Sequence, residues 1–200
     1  MNLPNKITLS RIILIPFFIA AFMLKDVSAL FIGGSGNYWV YIATGIFALA
    51  SLTDFLDGYL ARKNNLVTDM GKFLDPIADK ILIAAAFFII LGYTLVPVAA
   101  GVIIVTLVIG REFAISALRS IAAGKNVIIA ADKIGKLKTV SQIAAVIVLL
   151  PAAQLDALIG IRIFYYTGFS LLIASALLAV ISGVNYLYKN RKVFAENKAE

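Results

Sequence analysis

Between residues 54 and 79 the chain reads Asp54-Phe-Leu-Asp57-Gly58-Tyr-Leu-Ala61-Arg62, then eight residues, then Gly71-Lys-Phe-Leu-Asp75-Pro-Ile-Ala-Asp79. On a helix, Asp54, Asp57, Gly58 and Ala61 fall at i, i+3, i+4 and i+7 and share one face. Gly71, Asp75 and Asp79 share a face of a second helix by the same count. A connection of about eight residues makes these helices antiparallel neighbours, so the four carboxylates converge on one small volume. Carboxylates held that close repel one another and would take up protons unless cations were present. Bound divalent metal resolves this most simply. The chain has no histidine and no cysteine, so the donor set is all oxygen and suits Mg²⁺, Mn²⁺ or Ca²⁺ better than Zn²⁺. Acids merely solvated in a surface loop would have no reason to keep this spacing beside two glycines and an alanine.

The elements that carry these acids are set by composition. Of 200 residues, 62% are hydrophobic and 14% charged, against about a quarter charged in soluble domains. The chain therefore reads as an all-α integral membrane protein. Without cysteine there are no disulfides, and without histidine a general base must be a carboxylate, lysine or tyrosine. The first apolar run, Ile12 to Leu24, is lengthened towards a span by Ile7 and Leu9. Its basic start and the Val27-Ser28-Ala29 that follows also fit a secretory signal, but Pro16 is tolerated in a membrane helix. Five more apolar segments follow, at 38–61, 73–91, 95–118, 137–155 and 160–188. Each meets or approaches the roughly 20 residues needed to cross hydrocarbon. The expectation is six transmembrane helices in a single domain over residues 1–200. The Gly33-Gly34-Ser35-Gly36 stretch is a turn, since no Lys-Ser/Thr follows to make a phosphate loop.

Threading six spans puts every lysine and arginine except Lys25 and Arg162 on one side. By the positive-inside rule that side is the cytoplasm, so both termini and a polar active-site cavity at the interface are expected to face it, in a multi-pass protein of the cell membrane. The net charge of +7 is then topology plus attraction to anionic membrane lipids. Nucleic-acid binding is disfavoured, because the basic residues are dispersed at helix ends. Arg111 and Glu112 interrupt an apolar segment, where a charge is costly unless paired or lining a polar cavity. Arg111 and Arg119 lie eight apart, on one face and about 12 Å apart along the axis. The next segment opens Lys133-Ile-Gly-Lys136-Leu-Lys138-Thr139. Lys125, Lys133 and Lys138 are expected to snorkel to the interface. Arg111 and Lys136 suit a phosphomonoester pocket, and the competing reading pairs Arg111 with Glu112 or another buried acid.

The pattern D-x-x-D-G-x-x-A-R-x8-G-x-x-x-D-x-x-x-D resembles the signature of the CDP-alcohol phosphotransferases at all eight defined positions. That is far more specific than a lone glycine motif. The opening Leu3-Pro4-Asn5-Lys-Ile-Thr8-Leu-Ser-Arg11 is similar to the N-P-N-x-x-T-x-x-R start of the phosphatidylglycerophosphate synthases within that family, with Leu3 as a departure. Gly110-Arg111-Glu112-Phe113 and Gly135-Lys136-x-Lys138-Thr139 resemble strings of the same group. The resemblance covers most of the basic half of the chain, while the outer loops and last span carry little of it.

What the resemblance implies is a phosphatidyl transfer. Asp54, Asp57, Asp75 and Asp79 would hold Mg²⁺ or Mn²⁺, two ions, bridging the pyrophosphate of CDP-diacylglycerol. Asp79 would also take the proton from the acceptor hydroxyl. Asn5, Thr8, Gly58, Ala61, Arg62 and Gly71 would line the CDP-lipid, the glycines removing bulk beside the cytidine. Arg111, Lys136, Arg119 and Thr139 would hold the phosphate of glycerol 3-phosphate. Cardiolipin, phosphatidylserine and phosphatidylinositol-type synthases would share the acidic motif and differ in acceptor. A divalent-cation transporter would place its carboxylates nearer the bilayer midplane on broken helices. A homodimer is left open.

Overall fold

A computed structural model describes residues 3–32, 37–64, 69–124 and 133–191, with side chains over 8–28, 30, 38–53, 77–124 and 134–191. The described residues are helical apart from short turns, with no strand among them. The helices are α1 (Leu3–Ile32), α2 (Asn37–Asn64), α3 (Asp69–Gly92), α4 (Val98–Gly124), α5 (Lys133–Leu149), α6 (Ala152–Ile159) and α7 (Ile163–Lys189). Among the described residues three stretches are long and apolar enough to cross a membrane: Thr8–Ser28, Val98–Gly124 and Ile163–Lys189. The pair Ile134–Leu149 and Ala152–Ile159, bent by 56°, makes a fourth if counted as one span. With large apolar side chains such as Phe17, Phe88, Phe113 and Val184 turned outward, this is the build of a membrane protein, whose lipid-facing surface is as apolar as its interior.

The single run expected at 137–155 is thus two helices. Pro151 sits at the break, where a proline cannot donate the backbone hydrogen bond that would continue α5. Asp156 on α6 then turns the chain. Its carboxylate accepts from the backbone N–H groups of Phe164 (2.8 Å) and Tyr165 (3.0 Å). Those are otherwise unpaired donors of the first turn of α7. Gly160 supplies the left-handed residue, φ +77°, that ends α6.

The buried stripes repeat at helical spacing. Ile15, Phe18 and Phe22 on α1 meet Val40, Ala43, Phe47 and Ala50 on α2, with the Phe18 and Phe47 rings 5.5 Å apart. On α7 the stripe Gly168, Leu172, Ser175, Ala176, Ala179, Ser182, Gly183 and Tyr186 faces α5 and α4. Small residues allow close approach. A Cβ on Gly168 would fall 2.7 Å from Leu149 Cγ and 3.2 Å from its backbone nitrogen, so α5 and α7 touch there almost backbone to backbone. α1 packs chiefly on α2, and α5 on α7, with α3 and α4 completing the bundle.

One end of the bundle carries both basic residues that the charge pattern set apart. Lys25 lies over the Phe22 and Tyr93 rings, 4.5 and 3.9 Å from their centroids. Tyr93 donates a 2.7 Å hydrogen bond to Asp26, and that bond, with burial and the carboxylate's charge, pushes the phenol up to about 12. Arg162 lines a cavity of about 480 Å³ with Thr94, Leu95, Asp156 and Tyr165. Thr94 and Leu95 directly follow Tyr93, so Lys25 and Arg162 share this end.

Candidate active site

All of the acidic motif lies on two continuous helices. Asp54, Asp57, Gly58, Ala61 and Arg62 belong to α2, and Gly71, Asp75 and Asp79 to α3, so the i+3 and i+4 spacing holds as helical spacing. The helices run further than the motif suggested. α2 reaches Asn64 and α3 begins at Asp69, leaving four residues, 65–68, between them. Asp69 opens α3. The side chains of Asn5, Asp54, Asp57, Gly58, Ala61, Arg62, Gly71 and Asp75 lie outside the described residues. Among the described residues no three acids, histidines or cysteines stand together as a metal site. The donor chemistry nonetheless fits a hard cation. Four aspartates at ligand spacing on two packed helices, in a chain without histidine or cysteine, offer oxygen alone.

Asp79 is the described member of that set, and it is half-buried. It lines a cavity of about 80 Å³ between α3, α4 and α5, with Lys80, Glu112, Thr139 and Gln142 as the other polar walls. Ile83, Ala84, Val108, Ile109 and Phe113 close the cavity on its apolar side. Lys80, next to Asp79, hydrogen-bonds Ser116 of α4, whose hydroxyl donates to the Glu112 carbonyl at 2.7 Å. The cavity is therefore tied across the α3–α4 seam by a charged hydrogen bond.

Behind this wall stands an ion cluster. Glu112 Oε1 pairs with Lys138 Nζ of α5 and lies 3.6 Å from Arg111 Nη1. Arg111 continues to α7, donating Nη2 to Ser182 Oγ at 2.9 Å. Its path runs past two glycines, tightly at Gly183 and in ordinary contact at Gly135. A Cβ on Gly183 would lie 3.0 Å from Arg111 Cγ, and one on Gly135 would lie 3.5 Å from Nη2. Further along the same face of α4, Arg119 repeats the arrangement, donating Nε to the Tyr186 hydroxyl at 3.0 Å with its guanidinium 5.5 Å from that ring's centroid. Ser182 and Tyr186 are four apart on α7, as the shared face of Arg111 and Arg119 requires.

The two lysines differ from expectation in burial. Lys138, expected to snorkel, is 2% exposed and paired with Glu112, whereas Lys136, expected in the pocket, is exposed. A helix turns about 100° per residue, so two positions apart the side chains face opposite ways. On α5 the inward stripe is Lys138, Gln142, Ala145, Val146 and Leu149, which leaves Lys136 outside. Thr139 lines the cavity and donates to the Gly135 carbonyl at 3.3 Å. Thr8 and Arg11 on α1 are both buried, Arg11 completely, so its guanidinium is an interior charge. Lys138, Gln142, Ser182 and Tyr186 were not singled out as site residues from sequence. The signal for Lys138 and Gln142 was their i+4 spacing in register with Ala145, Val146 and Leu149.

The sequence family described as CDP-alcohol phosphatidyltransferase matches residues 1–184. A Bacillus subtilis (strain 168) protein named CDP-diacylglycerol–glycerol-3-phosphate 3-phosphatidyltransferase is 44% identical over 191 residues, covering 94% of this chain and 95% of its own. A Rickettsia felis protein of the same name is 36% identical over 193 residues, 96% of this chain and 97% of its own. A rice protein named cardiolipin synthase (CMP-forming) is 35% identical over 199 residues, covering 94% of this chain but 57% of its own.

Proposed function

Since the chain belongs to the CDP-alcohol phosphatidyltransferase family, we propose that it transfers a phosphatidyl group from CDP-diacylglycerol to glycerol 3-phosphate, releasing CMP. The observation that carries the acceptor is the cation cluster of Arg111, Lys138 and Arg119 beside the cavity that Asp79 lines. An anionic acceptor of low molecular weight suits that wall, and the two relatives matched over nearly their full length carry glycerol 3-phosphate in their names.

In this reading Asp54, Asp57, Asp75 and Asp79 hold two Mg²⁺ or Mn²⁺ ions. When bound, such ions offset the charge of the donor's pyrophosphate and of the leaving phosphate. Asp79 accepts the proton of the acceptor's terminal hydroxyl. The freed oxygen forms a bond to the phosphorus that carries diacylglycerol, and the bond from that phosphorus to the CMP oxygen breaks. Arg111 and Lys138 orient the acceptor phosphate, with Arg119 on its approach. Glu112 keeps the two inner cations from repelling each other while the site is empty. Asn5, Thr8, Gly58, Ala61, Arg62 and Gly71 are assigned to the CDP-lipid. The chain crosses the cell membrane six times as one domain, α5 and α6 forming one crossing, with both termini and the site on the cytoplasmic side. That Lys25 and Arg162 share one end of the bundle supports that orientation.

The test is steady-state kinetics on purified protein with CDP-diacylglycerol and a panel of acceptors. Arg111→Ala should lower kcat/KM for glycerol 3-phosphate by roughly ten- to a hundredfold, the loss of one charged hydrogen-bonding partner at about 1.5–3 kcal/mol. The KM for CDP-diacylglycerol should hardly change. A defect shared equally by donor and acceptor would reduce Arg111 to a structural partner of Glu112 and Ser182.

A further inference from the structure

We propose that Gln142 is a specificity-determining residue that reads the secondary hydroxyl of the acceptor, an inference that rests on glycerol 3-phosphate being that acceptor. Gln142 lies one turn beyond Lys138 on α5, is 2% exposed, and lines the cavity that contains Asp79. Its Nε2 is buried and donates to no group among the described residues. The acceptors that line the cavity, Asp79, Glu112 and Thr139, do not receive it, and the apolar walls, Ile83, Val108 and Ile109 among them, offer none. Proteins seldom leave a buried donor unpaired, because the group has given up water without replacement. A donor kept in the wall of a reaction cavity matches an oxygen that arrives with a ligand.

The ligand's chemistry follows from Asp79 in the same cavity. The hydroxyl that Asp79 deprotonates is carried on one end of a three-carbon chain, and the phosphate held by Arg111 and Lys138 is on the other. The middle carbon bears the secondary hydroxyl, adjacent to the reacting one. With both ends fixed, that oxygen is the remaining polar group that the cavity must receive, and an amide N–H suits it. Thr139 already spends its proton on the Gly135 carbonyl, which leaves Gln142 as the neutral donor.

The experiment compares glycerol 3-phosphate with 3-hydroxypropyl phosphate, which lacks only the secondary hydroxyl, on wild-type protein, Gln142→Met and Gln142→Leu. Wild type should favour glycerol 3-phosphate in kcat/KM by roughly three- to tenfold, as one neutral hydrogen bond provides. Gln142→Met should lose that factor on glycerol 3-phosphate and almost nothing on the analogue, bringing the ratio near one. Gln142→Leu should do the same. Equal losses on both acceptors would make the amide a packing element and overturn the proposal. So would wild-type protein that does not distinguish the two acceptors, whatever the variants do. A parallel arm compares ester-linked with ether-linked CDP-lipids. If Gln142→Met instead changes that preference, the amide serves a lipid carbonyl and the proposal fails. Wild type that uses neither phosphate acceptor but accepts another alcohol overturns the functional reading itself, a result distinct from all of these.

Discussion

Replacing Glu112 by glutamine removes one negative charge from between two cations while preserving shape. Glu112 pairs directly with Lys138, whose side chain is 3% exposed, and stands 3.6 Å from Arg111. Breaking a buried ion pair by deleting one partner costs about 3–5 kcal/mol, because the other charge stays buried alone. Glu112 is itself 26% exposed, so water reaches its end of the pair and reduces the loss. Arg111 retains Ser182, whereas Lys138 loses the acid it pairs with. The expected cost of Glu112→Gln is therefore about 2–3 kcal/mol, read from reversible unfolding in detergent. Lys138→Met should cost a similar amount. The double variant should cost less than the two losses added, with a coupling of about 1.5–3 kcal/mol. Kinetics separate the two residues further. Lys138→Met should weaken the acceptor because it removes a cation of the phosphate wall, whereas Glu112→Gln, in whatever fraction folds, should keep or improve acceptor KM. Additive single losses, or a Glu112→Gln protein as stable as wild type, would refute the claim that this pair joins α4 to α5.

Asp57→Asn should abolish transfer and weaken divalent-metal binding while leaving the helical content in detergent unchanged; equal wild-type activity in chelator and in Mg²⁺ buffer would contradict it. Gly183→Val should displace Arg111 from Ser182, since even a Cβ would lie 3.0 Å from Arg111 Cγ, and should raise the acceptor's KM with little effect on the donor's. A cysteine introduced at Lys125 should label only from the cytoplasmic side of intact cells and one at Arg162 only from outside, and reversed labelling would invert the topology. Tyr93 ionises in the folded protein at about 12, above its ordinary 10. The bond to Asp26 therefore contributes fully below pH 10 and is lost as pH rises towards 12. Absorbance titration should show a late tyrosine component that Tyr93→Phe removes.

Sequence alone determined the class of this protein and the address of its acids. A composition this apolar excludes a soluble domain, and the spacing of Asp54, Asp57, Asp75 and Asp79 is meaningful on any helix, so both are local properties of the chain. The ends of α2 and α3 were less legible, because polar residues such as Lys63 and Asn64 continue a helix as readily as they leave one. Only the tertiary structure decided which cations are interior. Lys136 and Lys138 differ little as residues in a basic string, and their fates separate only when α5 is rotated against α7 by the close contact at Gly168 and Leu149. Likewise Arg111 reads from sequence as either a phosphate ligand or the partner of an acid. Its reach to Ser182 passes Gly135 and Gly183, residues of two other helices that lie far from it along the chain. Burial, partner and cavity are pairwise properties of helices, and no window of one helix contains them.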